Sequence, residues 1–203
     1  MRTTPAAVTE TLAAPEASGA ETVVFVEGIS DRRALETLAR RRGLDLRAAD
    51  VAIVPIGGAQ AIGNYLELFG PRDLGLRVAG LCDAPEERYF RRGLERAGLG
   101  TDVDRAAMER LGFYVCEANL EDELTRALGA DAVEQIIDAQ GDRGSFRTYQ
   151  KQPAHRDRPV EEQVWGFMWN RKLRYATVLV EALDLTRVPR PLNGLLDYVM
   201  RPS

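Results

Sequence analysis

The stretch Val23-Val24-Phe25-Val26-Glu27-Gly28-Ile29-Ser30-Asp31 constrains the fold more tightly than any other part of this chain. Four apolar residues, β-branched or aromatic, run straight into an acid, a glycine and a Ser-Asp pair able to open a helix. A strand without polar alternation is buried on both faces, so helices must cover it above and below. Read as strand, turn and helix start, the stretch places Glu27 at the strand's carboxyl end. Asp31 falls in the first helical turn, where the positive end of the helix dipole favours an acid. Two acids on the rim of a sheet form either a metal site or a solvated turn, and these residues alone leave both open.

The same texture returns three times. Val51–Ile56 runs into Gly57-Gly58, Arg77–Cys82 into Asp83, and Phe113–Cys116 into Glu117. Between them, a helix capped by Ser30 and running to about Arg42 carries Ala34, Leu35, Leu38 and Ala39 on one face, and Gly43 stops it. A second helix, from about Ala59 to Phe69, offers Ile62, Tyr65, Leu66 and Phe69, and a charged helical stretch follows Asp83. This β-α-β-α-β alternation predicts an α/β fold: a parallel sheet of about four strands flanked by helices, with functional residues beyond the strands' carboxyl ends. Glu27, Gly57, Gly58 and Asp83 all fall at such ends. After Glu117 the chain reads as helical, over Leu120–Leu128, Ala132–Ala139, Val160–Asn170, Lys172–Leu183 and a short helix after Pro189 and Pro191. Residues 1–20, rich in Ala, Thr, Pro and Glu, predict a disordered tail. The expected division is that tail, a catalytic domain over 21–125, and a basic helical extension over 126–203 packed on it.

Composition narrows the chemistry. The net charge of −4 gives no global basic field for coating nucleic acid, although a local basic face is compatible with it. The single histidine, His155, removes histidine-based metal motifs from consideration. Cys82 and Cys116 each end an apolar run and read as buried free thiols. The chain has no apolar run long enough to span a membrane and no secretory pattern at its start, so a cytoplasmic protein without a membrane partner is expected.

The acids are therefore the main candidates: Glu27, Asp31, Asp83 and the group Glu117, Glu121, Asp122 and Glu123. If Glu27 and Asp83 end adjacent strands, their carboxylates would lie within roughly 5 Å and repel by about 3 kcal/mol at an effective dielectric near 20. A proton or a cation would relieve that repulsion, and all-oxygen ligands select hard ions, Mg²⁺ or Mn²⁺. The alternative is a set of solvated loop ends. Gly57-Gly58 lets the backbone approach a phosphate or serves a plain turn, and no GxGxxG or GxxxxGK[ST] fingerprint occurs. A second constellation runs from Arg143 to Tyr175. There Arg147, Lys151, Arg171 and Arg174 alternate with Phe146, Tyr149, Trp165, Phe167, Trp169 and Tyr175. Cations can contact phosphates while rings stack on unpaired bases; the other reading is a helical core with a solvated basic face.

Val-Glu-Gly-Ile-Ser-Asp (26–31), Val-Pro-Ile-Gly-Gly (54–58), Leu-Cys-Asp (81–83) and Asn-Leu-Glu (119–121), in that order, resemble a Toprim domain. The variant is similar to that of the OLD (overcoming lysogenization defect) nucleases and their free-standing relatives, over about residues 22–125. The resemblance implies a Rossmann-like Toprim sheet and Mg²⁺-dependent cleavage of phosphodiester bonds, using one or two ions. By this resemblance Glu27, Asp31 and Asp83 match catalytic and metal-binding acids, and Glu121 matches a later metal-binding acid. Lys172 resembles a late lysine placed near the scissile phosphate. One position departs: the second aspartate of the family's D-x-D pair would fall at Pro85, and Glu86 or Glu87 would have to reach the ion instead. The ATPase domain of full-length OLD proteins has no counterpart here, so an ATPase would be a separate partner. The expected function is a metal-dependent nuclease, on DNA before RNA. A catalytically impaired module that binds nucleic acid or a partner, and a structured-RNA maturation ribonuclease, are the alternatives.

Overall fold

The structure, a computed structural model, describes residues 19–201, so the tail expected over 1–20 lies outside the described residues except for Gly19 and Ala20. Four strands, β1 (Thr22–Val26), β2 (Val51–Pro55), β3 (Arg77–Asp83) and β4 (Phe113–Cys116), form one parallel sheet in the order β2-β1-β3-β4. The register pairs Thr22 with both Val51 and Arg77, and Asp83 with Cys116. The chain moves outward from β1 to β2, then crosses back past β1 to β3. The strand order thus reverses between β1 and β3, where open α/β sheets form a crevice at the carboxyl edge.

The unbroken apolar runs are explained by two cores. Val24 and Val26 of β1 join one hydrophobic cluster, while Val23 and Phe25 join the other across the sheet. On the second face pack α2 (Ile62–Phe69), through Leu66 and Phe69, and α3 (Glu87–Arg96), through Phe90 and Leu94; α4 (Arg105–Arg110) adds Met108. On the first face lie α1 (Ile29–Arg41), through Leu35 and Leu38, and the helices that follow β4. These are α5 (Leu120–Leu128), α6 (Ala130–Ala139), α7 (Arg143–Gln150), α8 (Val160–Met168), α9 (Lys172–Ala182) and α10 (Arg190–Val199). Leu179 and Val180 of α9 and Leu192 and Leu195 of α10 belong to the same cluster as Val24 and Leu35. The late helices therefore share a core with the sheet.

Three details differ from the sequence expectation. Gly28, not Ser30, occupies the N-cap of α1, and Asp31 Oδ2 accepts the Gly28 N–H at 2.8 Å. The helix expected over Ala59–Phe69 opens with a tight 3₁₀ turn over Ala59–Ala61, after Gly57 and Gly58 at φ 71° and 121°, a region only glycine enters freely. The pattern over Val160–Asn170 likewise stops at Met168. A 3₁₀ turn over Trp169–Arg171 separates it from α9, so Lys172 becomes the first residue of that helix.

Arg41, in the last turn of α1, donates through Nη1 to the carbonyls of Val180 and Leu183, both at 2.7 Å. Those carbonyls end α9, so α1 and α9 run parallel, with both N-termini at the carboxyl edge of the sheet. The guanidinium also supplies a cation where the α9 dipole is negative. Replacing it should remove charge-assisted bonds from a partly buried helix end, so Arg41→Met is expected to lower stability in urea unfolding by about 2 kcal/mol.

Candidate functional site: an acid cluster at converging helix N-termini

Five chain segments deliver acids to one edge of the sheet. The turn after β1 carries Glu27, the first turn of α1 carries Asp31, β3 ends at Asp83, and a 3₁₀ turn over Ala84–Glu86 follows at once with Glu86. From beyond β4, Glu121 enters from the first turn of α5. Asn119 caps that helix by accepting the Asp122 N–H at 2.9 Å, and its Oδ1 also receives Trp165 Nε1–H at 3.2 Å. That brace fixes the start of the helix that carries Glu121.

The carboxylates sense one another. Burial, foremost, together with a proton-sharing hydrogen bond to Glu86 and the charges of Asp83, Glu86 and Asp31, raises Glu27 to about 9. Burial also raises Asp83 to about 7, helped by the charges of Asp31 and Glu121 and opposed by Lys172. Asp31 is raised to about 6 by burial and by Glu121, against the lowering effects of its bond from Gly28 and of Lys172. Desolvation plus like charge disfavours the ionised forms, and one neutralising cation or shared proton relieves it.

Lys172 supplies the positive charge inside this group. Its Nζ lies 2.9 Å from Oε2 of Glu121, whose side chain is only 2% exposed. The pair is an ion contact without hydrogen-bond alignment, and both Glu121 oxygens lack a hydrogen-bond donor. Glu27 Oε1 and Glu86 Oε2 are buried without a donor too, unless they share a proton between them. Among the described residues no three His, Cys, Asp or Glu side chains are already closed around a point as a metal cage. The donor chemistry nevertheless fits a hard divalent ion: all the candidates are carboxylates, and three of them keep buried oxygens unsatisfied.

The structure also separates the other candidates. Glu87 is held away by Arg105, 2.6 Å from its Oε2, whereas Glu86 faces Glu27. Of the acids after β4, Glu117, Asp122 and Glu123 all pair with Arg126, and Glu123 also accepts the Glu117 N–H at 2.8 Å; Glu121 alone of the four meets Lys172. Gly57 adjoins the site, and its N–H donates to the Glu27 carbonyl at 3.1 Å, which holds the turn. The four basic residues do not form one free face. Arg147 pairs with Glu134 and Arg174 with Asp142. Arg171 folds over the Phe167 ring and donates to the Phe167 carbonyl, and Lys151 is exposed just after α7. Trp169, which the sequence offered only as one ring in a stretch, lies beside the acids, with Lys172 Nζ 4.3 Å from its ring centre. Its signal was its place three residues before the candidate lysine.

Residues 20–84, which supply Glu27, Asp31 and Asp83, match the family model described as "Overcoming lysogenization defect protein-like, TOPRIM domain". That segment is similar to an OLD-like Toprim domain. Solved structures extend the likeness beyond that segment. The C-terminal region of the Xanthomonas campestris pv. campestris OLD protein aligns with a TM-score of 0.72 at 21% identity, covering 91% of this chain and 94% of that one. The C-terminal region of the Burkholderia pseudomallei OLD protein aligns at 0.70 and 20% identity, covering 89% and 97%. At such identities the likeness speaks for the fold, late helices included. A search of curated proteins found no match. Toprim domains of this type are in general metal-dependent folds that process nucleic acids. Among the described residues no helix is long and apolar enough to cross a membrane.

The raised acids set the pH response of the metal-free protein. Glu27, Asp31 and Asp83 bind protons more tightly folded than unfolded, so the native state carries the excess protons and stability falls as pH rises from about 4 towards 9. In chelator, Tm should be lower near pH 8 than near pH 5, and Mn²⁺ should restore more of it at the higher pH. Glu27→Gln should raise metal-free stability near pH 8 by about 1–2 kcal/mol, the share of the Coulomb cost that survives solvent screening.

Proposed function

We propose that this protein is a divalent-metal-dependent nuclease that hydrolyses phosphodiester bonds, with DNA as the favoured substrate. The observation that carries the reading is the convergence of Glu27, Asp31, Asp83, Glu86 and Glu121 on one edge together with Lys172, with carboxylate oxygens left unsatisfied. Glu27, Asp31, Asp83 and Glu121 would hold Mg²⁺ or Mn²⁺, and Glu86 would take the place that Pro85 vacates. The ion would supply a water of lowered pKa and neutralise charge on the leaving oxygen.

The chain's own groups do the rest. Lys172, at the N-terminus of α9, can turn its ammonium from Glu121 onto a phosphate oxygen and stabilise the charge that grows there. The N-termini of α1, α5 and α9 open on the same edge and favour an anionic substrate. Glu27, which holds a proton at neutral pH without metal, is suited to give or take one at the reacting oxygens.

Pro85 favours a second reading, a Toprim-derived module that binds nucleic acid or a partner with a weakened metal site. Plasmid nicking with Mg²⁺ or Mn²⁺ separates the two. Wild type should convert supercoiled plasmid, while Glu27→Gln, Asp83→Asn and Lys172→Met should each lose about a hundredfold or more in rate, the usual scale for losing one electrostatic or acid–base group. A wild type that binds DNA yet cuts no faster than these variants fits the binding module, and cleavage confined to structured RNA fits the maturation ribonuclease. Calorimetric Mn²⁺ titration reads the ligand assignment separately. Glu86→Gln should weaken binding about tenfold, near 1.4 kcal/mol, while Glu87→Gln, already occupied by Arg105, should not.

A further inference from the structure

We propose that Trp169, at the sheet edge that also carries the exposed Ile29 and Leu173, is a stacking platform for an unpaired base beside the reacting phosphate, so that the substrate is single-stranded or frayed DNA. This rests on the nuclease reading and specifies its substrate. Trp169 is 49% exposed, in the short turn that separates α8 from α9. Lys172 bridges it to the acids, with Nζ 4.3 Å from the Trp169 ring centre and 2.9 Å from Glu121 Oε2. Behind it stands Trp165, centroids 5.1 Å apart at 58°, itself tied to Asn119. The ring is thus backed by an anchored aromatic while staying half open to solvent.

The placement of exposed apolar groups supports this. Among the described residues five large hydrophobics are exposed: Ile29, Leu74, Trp169, Leu173 and Leu185. Ile29, 58% exposed, begins α1, and Leu173, 44% exposed, is the second residue of α9. Because those helices run parallel, both residues lie at the edge that carries the acids. Leu74, just before β3, and Leu185, just after α9, lie at the opposite edge.

An apolar rim gains nothing from the phosphate walls of a duplex, whose bases face inward. Unpaired bases offer a π face, and a base stacked on an aromatic ring is held without regard to sequence.

Binding can be measured on the full chain silenced by Glu27→Gln, with Ca²⁺ present. The chain has two tryptophans, so Trp165→Phe leaves Trp169 as the sole emitter. Oligo-dT of about 12 nucleotides, within the span of one single-strand site, should quench that emission; a blunt duplex should not. Trp169→Ala should reduce the preference for oligo-dT over duplex about tenfold, with Trp169→Phe keeping most of it and thereby excluding a folding defect. An unaltered preference in Trp169→Ala, or equal loss on both substrates, overturns the platform. Failure of the parent reading looks different. A protein that stacks oligo-dT through Trp169 but cuts nothing with Mg²⁺ or Mn²⁺ keeps the platform and loses the nuclease.

Discussion

Mutual repulsion among carboxylates at the sheet's carboxyl edge is the constraint to which the rest of this structure answers. Left in water, such acids would spread apart. Here each backbone is fixed by an element with its own reason to be there: β1 and β3 by pairing, α1 by its own capping bond, α5 by Asn119. The fold cannot relax the repulsion by moving the chain, so it is relieved through protons, through Lys172, or through an added cation. The helix N-termini contribute partial positive charge where it offsets part of the cost.

The two-faced core makes this rigidity possible. Because β1 is buried on both sides, a one-residue slip would exchange Val24 and Val26 for Val23 and Phe25 between cores shaped for different residues. Register is therefore strongly specified, and with it the positions of Glu27, just past β1, and of Asp83, the last residue of β3. The late helices add to this by sharing the first core. Through Arg41, α9 is aligned with α1, and Lys172 arrives at the acids from far along the chain.

Strands and most helices were legible because burial writes directly into sequence: β4 and α5 begin and end where their apolar patterns do. Boundaries controlled by single hydrogen bonds or by glycine torsions were not. The cap at Gly28 depends on Asp31 folding back, and the break at Trp169 lies inside an amphipathic pattern that carries on past it. At the site, Glu27 and Asp83 could be placed from strand ends alone, whereas Glu121 and Lys172 depended on motif resemblance, since no periodicity reveals which members of an acidic or basic run turn inward. The choice between Glu86 and Glu87 was invisible in sequence because Arg105, eighteen residues on from Glu87, decides it. Pairing within the basic stretch was invisible for the same reason: Arg147 and Arg174 find acids at Glu134 and Asp142.

Pro85 shows how a local substitution can be absorbed without loss of architecture. A proline locks φ and lacks an N–H, and the first residues of a helical turn are where neither matters. It sits inside the 3₁₀ turn over Ala84–Glu86, which advances the chain by one residue and leads into α3. On the proposed nuclease reading, Glu86, one residue on and one methylene longer, would stand in for an acid at position 85. The donor remains a carboxylate oxygen, so the preference for hard ions is retained. What changes is stiffness: glutamate has one more rotatable bond than aspartate, so ordering it around a cation costs more conformational entropy. On that reading the site would keep the same chemistry with a looser hold, and a substrate phosphate that also binds the ion would contribute more of the ordering than it would with an aspartate at position 85.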